Sequence, residues 1–410
     1  MFKKYIKLSL KVLLRHKFFT FISLFGISFT LMILLTTTAF LDHMLGPTYP
    51  ETRLDRSLYV LDLEIKGPEI SRRGSISYYF LNKYVKTLKT PELISITSFF
   101  QKTVTYNQGR KYKIALKYTD AEFWEIMDFK FIEGEPFNDE DVKNINQVAV
   151  INEATKEKYF GEESALGKFI EADWKKYKVI GVVKDVPIIR ILAYGDVWVP
   201  ITNTKEDITS YNLDGDYQAI LLARSKQDFS KIKAEFQKHL AQVEFMDDTY
   251  DSIKGGTDTI LESTSREMFG FDDAKVHLLF FIATGLMILF MMLPAMNLVN
   301  ININRIMERY SEIGIRKSFG ASSITLVGQF IVENIILTLI GGLIGLILTY
   351  IVLTIFNLSN IIPYAHFNMN FRIFGFALLI TLLFGLLSGV YPAWRMSRLK
   401  PVQALQGGIK

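Results

Sequence analysis

Hydrophobic residues in this chain are concentrated in a few long uncharged runs. Three of them, residues 18–41, 276–304 and 373–394, are each at least as long as the roughly 20 apolar residues that cross a bilayer core. A fourth run, residues 334–371, is longer than one span needs, and Pro363 interrupts its second half. We interpret it as the end of a helix that begins near Ile324, followed by a short loop. The pattern predicts four transmembrane helices, at residues 18–41, 276–304, 321–356 and 372–394, with an external loop at 357–371.

Between the first two predicted spans, apolar residues occur in the short runs and helical spacings that are typical of a globular domain. Apolar runs predict strands at residues 60–65, 148–151, 178–183, 197–201 and 219–223. Apolar residues at helical spacing predict helices at residues 79–88, 153–159 and 229–243. This mixture predicts an α+β domain over residues 42–275, with residues 105–203 forming a lobe inserted into the rest. Its two ends, residues 42–56 and 257–275, would extend the first and second spans as a stalk if they are helical.

A short charged segment, residues 305–320, separates the second and third predicted spans. Read at helical spacing, its apolar residues fall on one face and its charged residues on the other. Glu312 precedes Arg316 by four residues, which is the favourable order for an ion pair on a helix, and Gly320 stands at a helix C-cap position. This segment, called the elbow below, is therefore predicted to be an amphipathic helix with a water-exposed charged face.

The distribution of charge orients these helices. Residues 1–17 and 395–410 carry Lys and Arg residues and no acid, whereas acidic residues outnumber basic ones between Asp42 and Lys275. By the positive-inside rule, both termini and the elbow are predicted to be cytoplasmic and the α+β domain external. A basic cytoplasmic side and an acidic external domain are the polarity expected of an inner-membrane protein, so the charge pattern does not indicate binding to nucleic acid. The chain has no cysteine, so the exported domain has to be held by its own core.

The first residues of the chain add one further element. Residues 1–17 place basic residues four apart, which predicts an amphipathic helix on the cytoplasmic leaflet. The alternative is the n-region of a signal peptide, but the apolar run that follows exceeds the about 7–15 residues of a signal-peptide core. The predicted fold is an α-helical membrane protein with four transmembrane helices and a large α+β extracytoplasmic domain between the first and second helices. Residues 395–410 form its cytoplasmic tail.

Glycines and one acid stand out within the predicted spans. Gly341 and Gly345 in the third span, and Gly385 and Gly389 in the fourth, have the small-xxx-small spacing that lets helices approach closely. Glu333 is an ionisable residue inside the third span, and such a residue needs a partner or water. Two roles stay open for Glu333: a structural polar contact, or a relay of movement along the helix.

The motifs of an enzyme are missing from the sequence. The five histidines are scattered, there is no cysteine, and neither H-E-x-x-H nor G-x-S-x-G occurs. The Gly-Lys pair at Gly167 and Lys168 is followed by Phe169 rather than by the Ser or Thr of a phosphate-binding loop. We therefore expect no catalytic residue and no metal ligand. We also expect that ATP hydrolysis, if it drives this protein, takes place on another polypeptide.

The elbow, the helix after it and the tail together resemble the FtsX-like permeases. The matching residues are Arg309, Glu312, Ile313, Gly314, Ile315, Arg316, Lys317, Gly320, Ala321, Phe330, Glu333, Gly341, Gly342 and Gly345, and in the tail Tyr391, Pro392, Ala393, Trp394, Arg395, Pro401, Val402, Ala404 and Leu405. The external part is similar to the MacB periplasmic core domain in residues 123–134, 152–161, 166–168, 179–187 and 198–200. The departures are Ser318, Phe319 and Lys400, where the family usually has Ala, an aliphatic residue and an acid.

The resemblance implies a permease of the type VII ABC transporters. In that family the elbow is the coupling helix that docks on a cytoplasmic ATPase, which would assign docking to Glu312, Gly314, Arg316, Lys317 and Gly320. By the same resemblance, Glu333 would relay the motion into the third helix. The chain would form a homodimer, or a heterodimer with a related permease, and would bind no cofactor itself. The separate ATPase subunits would bind ATP and Mg, and their closure would move the external domain by mechanotransmission.

The leading functional hypothesis is export or efflux of drugs, peptides or lipoproteins at the bacterial inner membrane. Membrane lipid would surround the helices, and a periplasmic adaptor or an outer-membrane channel would be a further partner. One alternative is an FtsX-like regulator of cell-wall hydrolases, and another is a membrane-anchored signalling scaffold without transport. The large external domain favours the MacB-like group, and the missing motifs disfavour a membrane-tethered enzyme.

Overall fold

The computed structural model describes residues 13–15, 17–107, 110–245, 249–270, 273–289, 315, 319, 322–359, 361–369, 371–372, 374–379, 381–383 and 386. These residues belong to two compact units. The membrane unit comprises the described parts of residues 1–42, 280–359 and 366–410, and the external unit comprises residues 43–279 and 360–365. The predicted helix at residues 1–17 and the tail at 395–410 lie outside the described residues, apart from a few positions of the former.

The secondary structure is mixed in the external unit and helical in the membrane unit. The helices are α1 (Lys17–Leu45), α2 (Tyr78–Phe80, continued by a π-helical turn at Leu81–Val85), α3 (Glu122–Ile126), α4 (Asp139–Lys143), α5 (Glu153–Phe160), α6 (Phe229–Leu240), α7 (Ile260–Phe269), α8 (Val276–Leu289), α9 (Ser323–Ser359) and α10 (Phe374–Leu383). The strands are β1 (Ser57–Val60), β2 (Leu63–Lys66), β3 (Ser71–Gly74), β4 (Leu93–Ser98), β5 (Gln101–Asn107), β6 (Arg110–Thr119), β7 (Phe131–Gly134), β8 (Val148–Asn152), β9 (Phe169–Ala172), β10 (Lys175–Val183), β11 (Val197–Pro200), β12 (Tyr217–Leu222) and β13 (Ser252–Gly255).

Ten of these strands form one mixed sheet in the external unit. Its order is β1-β12-β4-β6-β11-β8-β10-β7, with β5 paired to β6 and β9 paired to β10. Strand β11 runs parallel to β6 and β10 runs parallel to β8, whereas the other pairs are antiparallel. A small second sheet has the order β13-β2-β3. Strands β5 to β11, which come from residues 101–200, join the flanking strands of this sheet at the pair Thr97–Thr119 of β4 and β6, so the two predicted lobes share one sheet and their division stays a prediction.

Both faces of the large sheet are covered. Successive residues of one strand belong to different core clusters: Val197 and Val199 belong to the cluster that includes Phe236 of α6, whereas Trp198 belongs to the cluster that includes Phe123 and Trp124 of α3. Since successive side chains of a strand point to opposite faces, these clusters lie on the two sides of the sheet. Burial on both faces explains why strands such as β8 and β11 are apolar at nearly every position.

Most predicted strands and helices of the external domain are confirmed. Strands β8, β10, β11 and β12 and helices α5 and α6 occupy the predicted places, with ends shifted by a few residues. The predicted strand at residues 60–65 is instead two strands in different sheets, since Val60 pairs with Ala219 and Leu63 pairs with Gly255. The apolar run continues through Leu61, so the sequence pattern does not mark the change of sheet.

The predicted helical stalk is also wrong in part. Helix α1 ends at Leu45, where Gly46 and Pro47 follow, and the chain continues irregularly to a single 3-10 turn at Leu54–Arg56. A glycine after the last turn followed by proline is a common helix stop. At the other end, α7 stops at Phe269 because Gly270 has a φ of 100°, a conformation that ends a helix.

The helix predicted at residues 79–88 is shorter than expected. It is observed as α2, whose π-helical turn ends at Val85.

The membrane unit contains two long apolar helices among the described residues. Helix α1 and residues Val327–Ser359 of α9 are long and apolar enough to cross a bilayer. Helices α8 and α10 are also apolar but shorter, and both lie within predicted spans of which only a part is described. The count of four transmembrane helices therefore stays a prediction.

Candidate functional site

The elbow lies almost entirely outside the described residues. This applies to the predicted docking residues Glu312, Gly314, Arg316, Lys317 and Gly320. Of the elbow, the structure describes Ile315 and Phe319, whose backbone groups form one helical hydrogen bond, from Phe319 N–H to Ile315 O at 3.1 Å. Both side chains are exposed, and Phe319 has 89% of its surface accessible.

Helices α1 and α9 pack closely at two of the predicted glycines. A Cβ atom placed on Gly341 would lie 2.7 Å from Cγ2 of Ile27, and one on Gly345 would lie 3.0 Å from the carbonyl oxygen of Ser28. A third glycine, Gly342, approaches the α10 side chain of Leu378 in the same way. Only glycine allows these backbones to come so close. Gly385 and Gly389 lie outside the described residues.

Glu333 lies on the same helix, about two to three turns before these glycines. Its side chain is 1% exposed, and Gln329 Nε2 donates a hydrogen bond of 3.1 Å to its Oε1. A four-residue spacing connects Gln329, Glu333, Leu337 and Gly341 in one row along α9, and the row is buried. A polar pair buried in an apolar helix is satisfied locally, which agrees with a structural contact and leaves the relay role untested.

The external unit holds a buried ion pair that the sequence reasoning missed. Arg190 and Glu51 are 2% and 5% exposed, and Arg190 Nη1 lies 2.8 Å from Glu51 Oε2. Arg190 Nη2 lies 2.6 Å from each of the carbonyl oxygens of His43 and Gly46 and also contacts the hydroxyl oxygen of Thr48, so its two N–H groups are shared among three acceptors. The guanidinium group thus binds the residues that end α1 and follow it. In the sequence, the sign of this ion pair is that Arg190 is the single charged residue in the apolar stretch 186–194.

Residue Lys117 of β6 is a second buried charge near Glu51. It is fully buried, and its Nζ donates a hydrogen bond of 2.7 Å to Ser98 O. Burial lowers the pKa of Lys117 to about 7, against the opposing effect of the Glu51 carboxylate. Burial likewise raises the pKa of Glu51, and the charge of Arg190 opposes that shift. The chain therefore holds several ionisable groups inside this part of the domain.

A cavity of about 750 Å³ lies beside Arg190. Its walls combine apolar side chains such as Met44, Ile191 and Ile260 with the charged residues Arg190 and Glu267. Met44 and Ile191 are about half exposed, so apolar surface faces the cavity. Such a surface suits an amphipathic molecule better than a fully charged one. Within the described part of the chain, no group of three His, Cys, Asp or Glu residues is placed to hold a metal ion.

The sequence matches two protein families in succession. Residues 20–239 match the MacB-like periplasmic core domain, and residues 268–401 match the FtsX-like permease C-terminal domain. Among similar proteins, the uncharacterized ABC transporter permease YvrN of Bacillus subtilis (strain 168) is 25% identical over 293 residues, covering 70% of this chain and 68% of YvrN. The macrolide export ATP-binding/permease protein MacB of Pasteurella multocida (strain Pm70) is 24% identical over 283 residues.

The share of each relative that is matched differs. The alignment with the Pasteurella protein covers 69% of this chain but 41% of that relative, so this chain matches less than half of the longer protein. Among solved structures, the extracellular domain of the noncanonic ABC-type transporter YknZ from Gram-positive bacteria is 16% identical, with a TM-score of 0.36, covering 47% of this chain and 98% of that domain. The periplasmic region of MacB from Actinobacillus actinomycetemcomitans is 15% identical, with a TM-score of 0.35, covering 49% of this chain and 88% of that region.

The two family matches follow each other in the order expected from the sequence. The first alone takes in more than half of the chain, and the second begins near the end of α7 and takes in α9. The external unit with its mixed sheet falls mainly in the first match, and the long apolar helix α9 falls in the second. This chain therefore belongs to the MacB-like and FtsX-like family of ABC transporter permeases.

Proposed function

We propose that this chain is the permease subunit of an ABC transporter that works by mechanotransmission. A separate cytoplasmic ATPase subunit would hydrolyse ATP, and its movement would displace the external domain of this chain. The observation that carries the proposal is the succession, in one chain, of a MacB-like periplasmic core domain and an FtsX-like permease C-terminal domain. The permease would act as a homodimer or as a heterodimer with a related permease.

Contacts within the chain support a path for this movement. The elbow would receive the push of the ATPase through Glu312, Arg316 and neighbouring residues. The next helix, α9, carries Glu333 and packs against α1 at Gly341 and Gly345. Helix α1 is continuous to Leu45, where the external unit has already begun. Closely packed helices move as one body, because a shift in one displaces the side chains of the other.

We propose export or efflux as the task of this movement, with drugs, peptides or lipoproteins as the transported class. The matched MacB relatives are named as macrolide exporters, and the partly apolar cavity of about 750 Å³ is large enough for an amphipathic molecule. A regulator of cell-wall hydrolases or a signalling scaffold would share the mechanics of the family but would move no substrate. A transport assay with reconstituted vesicles separates these outcomes.

The partner ATPase is tested by copurification of the full-length chain from its native membrane in detergent, without crosslinker. We expect a subunit with a phosphate-binding loop to copurify, and the variant Glu312→Lys with Gly314→Trp to lose it, because the charged face of the elbow is altered. Glu157→Lys, a charge reversal at an exposed position of α5, serves as the control and should retain the ATPase. Absence of an ATPase with the wild type, or its retention by the elbow variant, contradicts the proposal.

A further inference from the structure

The helical structure of α1 breaks off before the chain enters the first strand of the external domain. Helix α1 ends at Leu45, and Gly46 and Pro47 follow before the chain reaches the first strand at Ser57. A glycine next to a helix end turns readily, so the covalent chain alone would let the helix pivot. If α1 moves the domain, non-covalent contacts have to hold the two sides of this break together.

Arg190 makes contacts on both sides of the break. On the helix side, Nη2 donates to His43 O, in the last turn of α1, at 2.6 Å. Beyond the helix, Nη2 also donates to Gly46 O at 2.6 Å, and Nη1 pairs with Glu51 at 2.8 Å. Thr48 Oγ1 shares the two N–H groups of Nη2 with these carbonyl oxygens. One planar group therefore fixes the last turn of the helix and the segment that follows it.

The other end of Arg190 is fixed to the core of the domain. Its carbonyl oxygen accepts hydrogen bonds from Ala193 N at 3.0 Å and from Tyr194 N at 2.7 Å. Ala193 and Tyr194 are buried in the cluster that contains Trp198 of β11. The guanidinium group is thus connected, through one compact turn, to the central strands of the large sheet.

The chemistry of this contact favours arginine. The last carbonyl groups of a helix lack partners within the helix and carry the negative end of its dipole. Guanidinium offers five donors in a rigid plane, whereas an ammonium group cannot span the same acceptors. A buried ion pair adds little net stability compared with apolar side chains of the same size, so stability alone does not account for it. Its distinctive property is that it holds a fixed geometry.

We propose that Arg190 is a positioning residue that fastens the end of α1 to the external domain, so that movement of α1 displaces the domain instead of bending the chain at Gly46. Glu51 orients the guanidinium group and neutralises its charge. This inference rests on the proposed function, because it concerns the movement that the ATPase would drive.

The test follows the external domain during ATP turnover. The full-length chain, with the ATPase that copurifies with it, is placed in vesicles of phosphatidylethanolamine and phosphatidylglycerol that contain a lipid-bound acceptor dye. Because the chain has no cysteine, Lys176→Cys at an exposed position of β10 provides one site for the donor dye. Energy transfer is recorded with and without ATP, together with the ATPase rate and the unfolding midpoint from tryptophan fluorescence.

Two variants carry the test, both in the labelled chain. Arg190→Met with Glu51→Met removes both buried charges together, so that neither is left unpaired. Arg190→Lys keeps the positive charge but loses the planar guanidinium group with its two terminal nitrogens. We expect the ATP-driven change in energy transfer to fall by about fivefold or more in the double variant, the lower end of typical coupling between sites, with the ATPase rate retained. Arg190→Lys should show an intermediate loss of the ATP-driven change, with an unfolding midpoint below that of the wild type because buried acceptors lose a donor.

The matched control is an ion pair elsewhere in the same domain. Arg72→Met with Asp214→Met removes a pair of 2.6 Å whose arginine is 54% exposed, and it should leave the ATP-driven change intact. If the wild type responds to ATP and both Arg190 variants respond equally, the inference is wrong and the proposed function stands. If the wild type with its ATPase shows no response, mechanotransmission itself is contradicted, and the inference with it.

Discussion

At the scale of single residues, the external domain contains charged side chains that are buried in its interior. Lys117 lies on β6 between strands β4 and β11, and its side chain is fully buried. Lysine is rarely buried without a partner because its ammonium group loses hydration. The carbonyl oxygen of Ser98 accepts one of its hydrogen bonds, and the nearby Glu51 supplies opposite charge. The remaining cost of burial appears as the lowered pKa of Lys117.

This burial predicts a pH dependence of stability. The pKa of Lys117 is about 7 in the folded chain and about 10.5 when it is hydrated, so between these values the unfolded state binds one more proton. Stability therefore rises with pH in this window, by about 1.4 kcal/mol per pH unit where the difference is a full proton. Below about pH 7 the lysine is protonated in both states, so its destabilising effect is at its maximum and no longer changes with pH. Lys117→Met removes this dependence.

The measurement is urea unfolding of the detergent-solubilised chain between pH 6 and 10, followed by tryptophan fluorescence, which reports mainly on the buried Trp124 and Trp198. We expect the stability of the wild type relative to Lys117→Met to increase from about pH 7 upward. Lys113→Met, at an exposed position of the same strand, is the control and should parallel the wild type. Parallel curves for wild type and Lys117→Met would show that the lysine titrates normally.

At the scale of elements, the glycines of α9 determine how closely it packs against α1. The spacing of Gly341 and Gly345 predicts close packing from the sequence, but it does not say against which helix. The structure identifies the partner positions as Ile27, Ser28 and Leu31 of α1. Gly345 is the more constrained of the two, since one of its nearest neighbours is a backbone oxygen, which cannot rotate away.

Gly345→Leu should therefore separate these helices. We expect a loss of about 1–3 kcal/mol, the usual cost of overpacking, because the added side chain meets the backbone of Ser28. Gly328→Leu on the same helix is the matched control, since among the described residues nothing lies within 4 Å of a Cβ atom placed there. The measurement is the detergent-unfolding midpoint of each variant by circular dichroism. Equal midpoints for the two variants would mean that α1 and α9 do not pack at Gly345.

At the scale of the whole molecule, the external unit has the properties of an independent domain. Its large sheet is covered on both faces by apolar clusters. The first and last strands of that sheet along the chain, β1 and β12, pair with each other. Residues 360–365, from the loop between α9 and α10, also belong to this unit, and Tyr364 packs against the cluster that contains Trp198. A domain with its own core is expected to fold without the rest of the chain.

We therefore expect the fragment of residues 43–279 to be soluble without detergent and to unfold cooperatively on heating, with Trp124 and Trp198 as fluorescent probes. Trp198→Ala should lower the free energy of unfolding by about 3–5 kcal/mol, since it leaves a cavity in the core. Trp174→Ala, at a position that is 83% exposed, is the control and should leave the midpoint nearly unchanged. Non-cooperative unfolding of the fragment would contradict its independence.

Sequence patterns predict some of these elements because the physical signal is local. Apolar length distinguishes α1 and α9 from the helices of the external domain, and hydrophobic periodicity places β8, β10 and β12 near their observed positions. The family follows from the elbow and tail motifs, and the matches over residues 20–239 and 268–401 confirm it. The docking role of the elbow, the relay role of Glu333 and the count of four spans stay predictions.

The sequence by itself determined which segments are apolar enough for a membrane, where most strands lie and to which family the chain belongs. Only the tertiary structure showed that one sheet joins the predicted lobes, that residues 60–65 are divided between two sheets, and that Arg190 binds the end of α1. The reason is physical: apolar length and periodicity are properties of neighbouring residues. Strand pairing and the Arg190–Glu51 ion pair join residues far apart along the chain, and only folding brings them together.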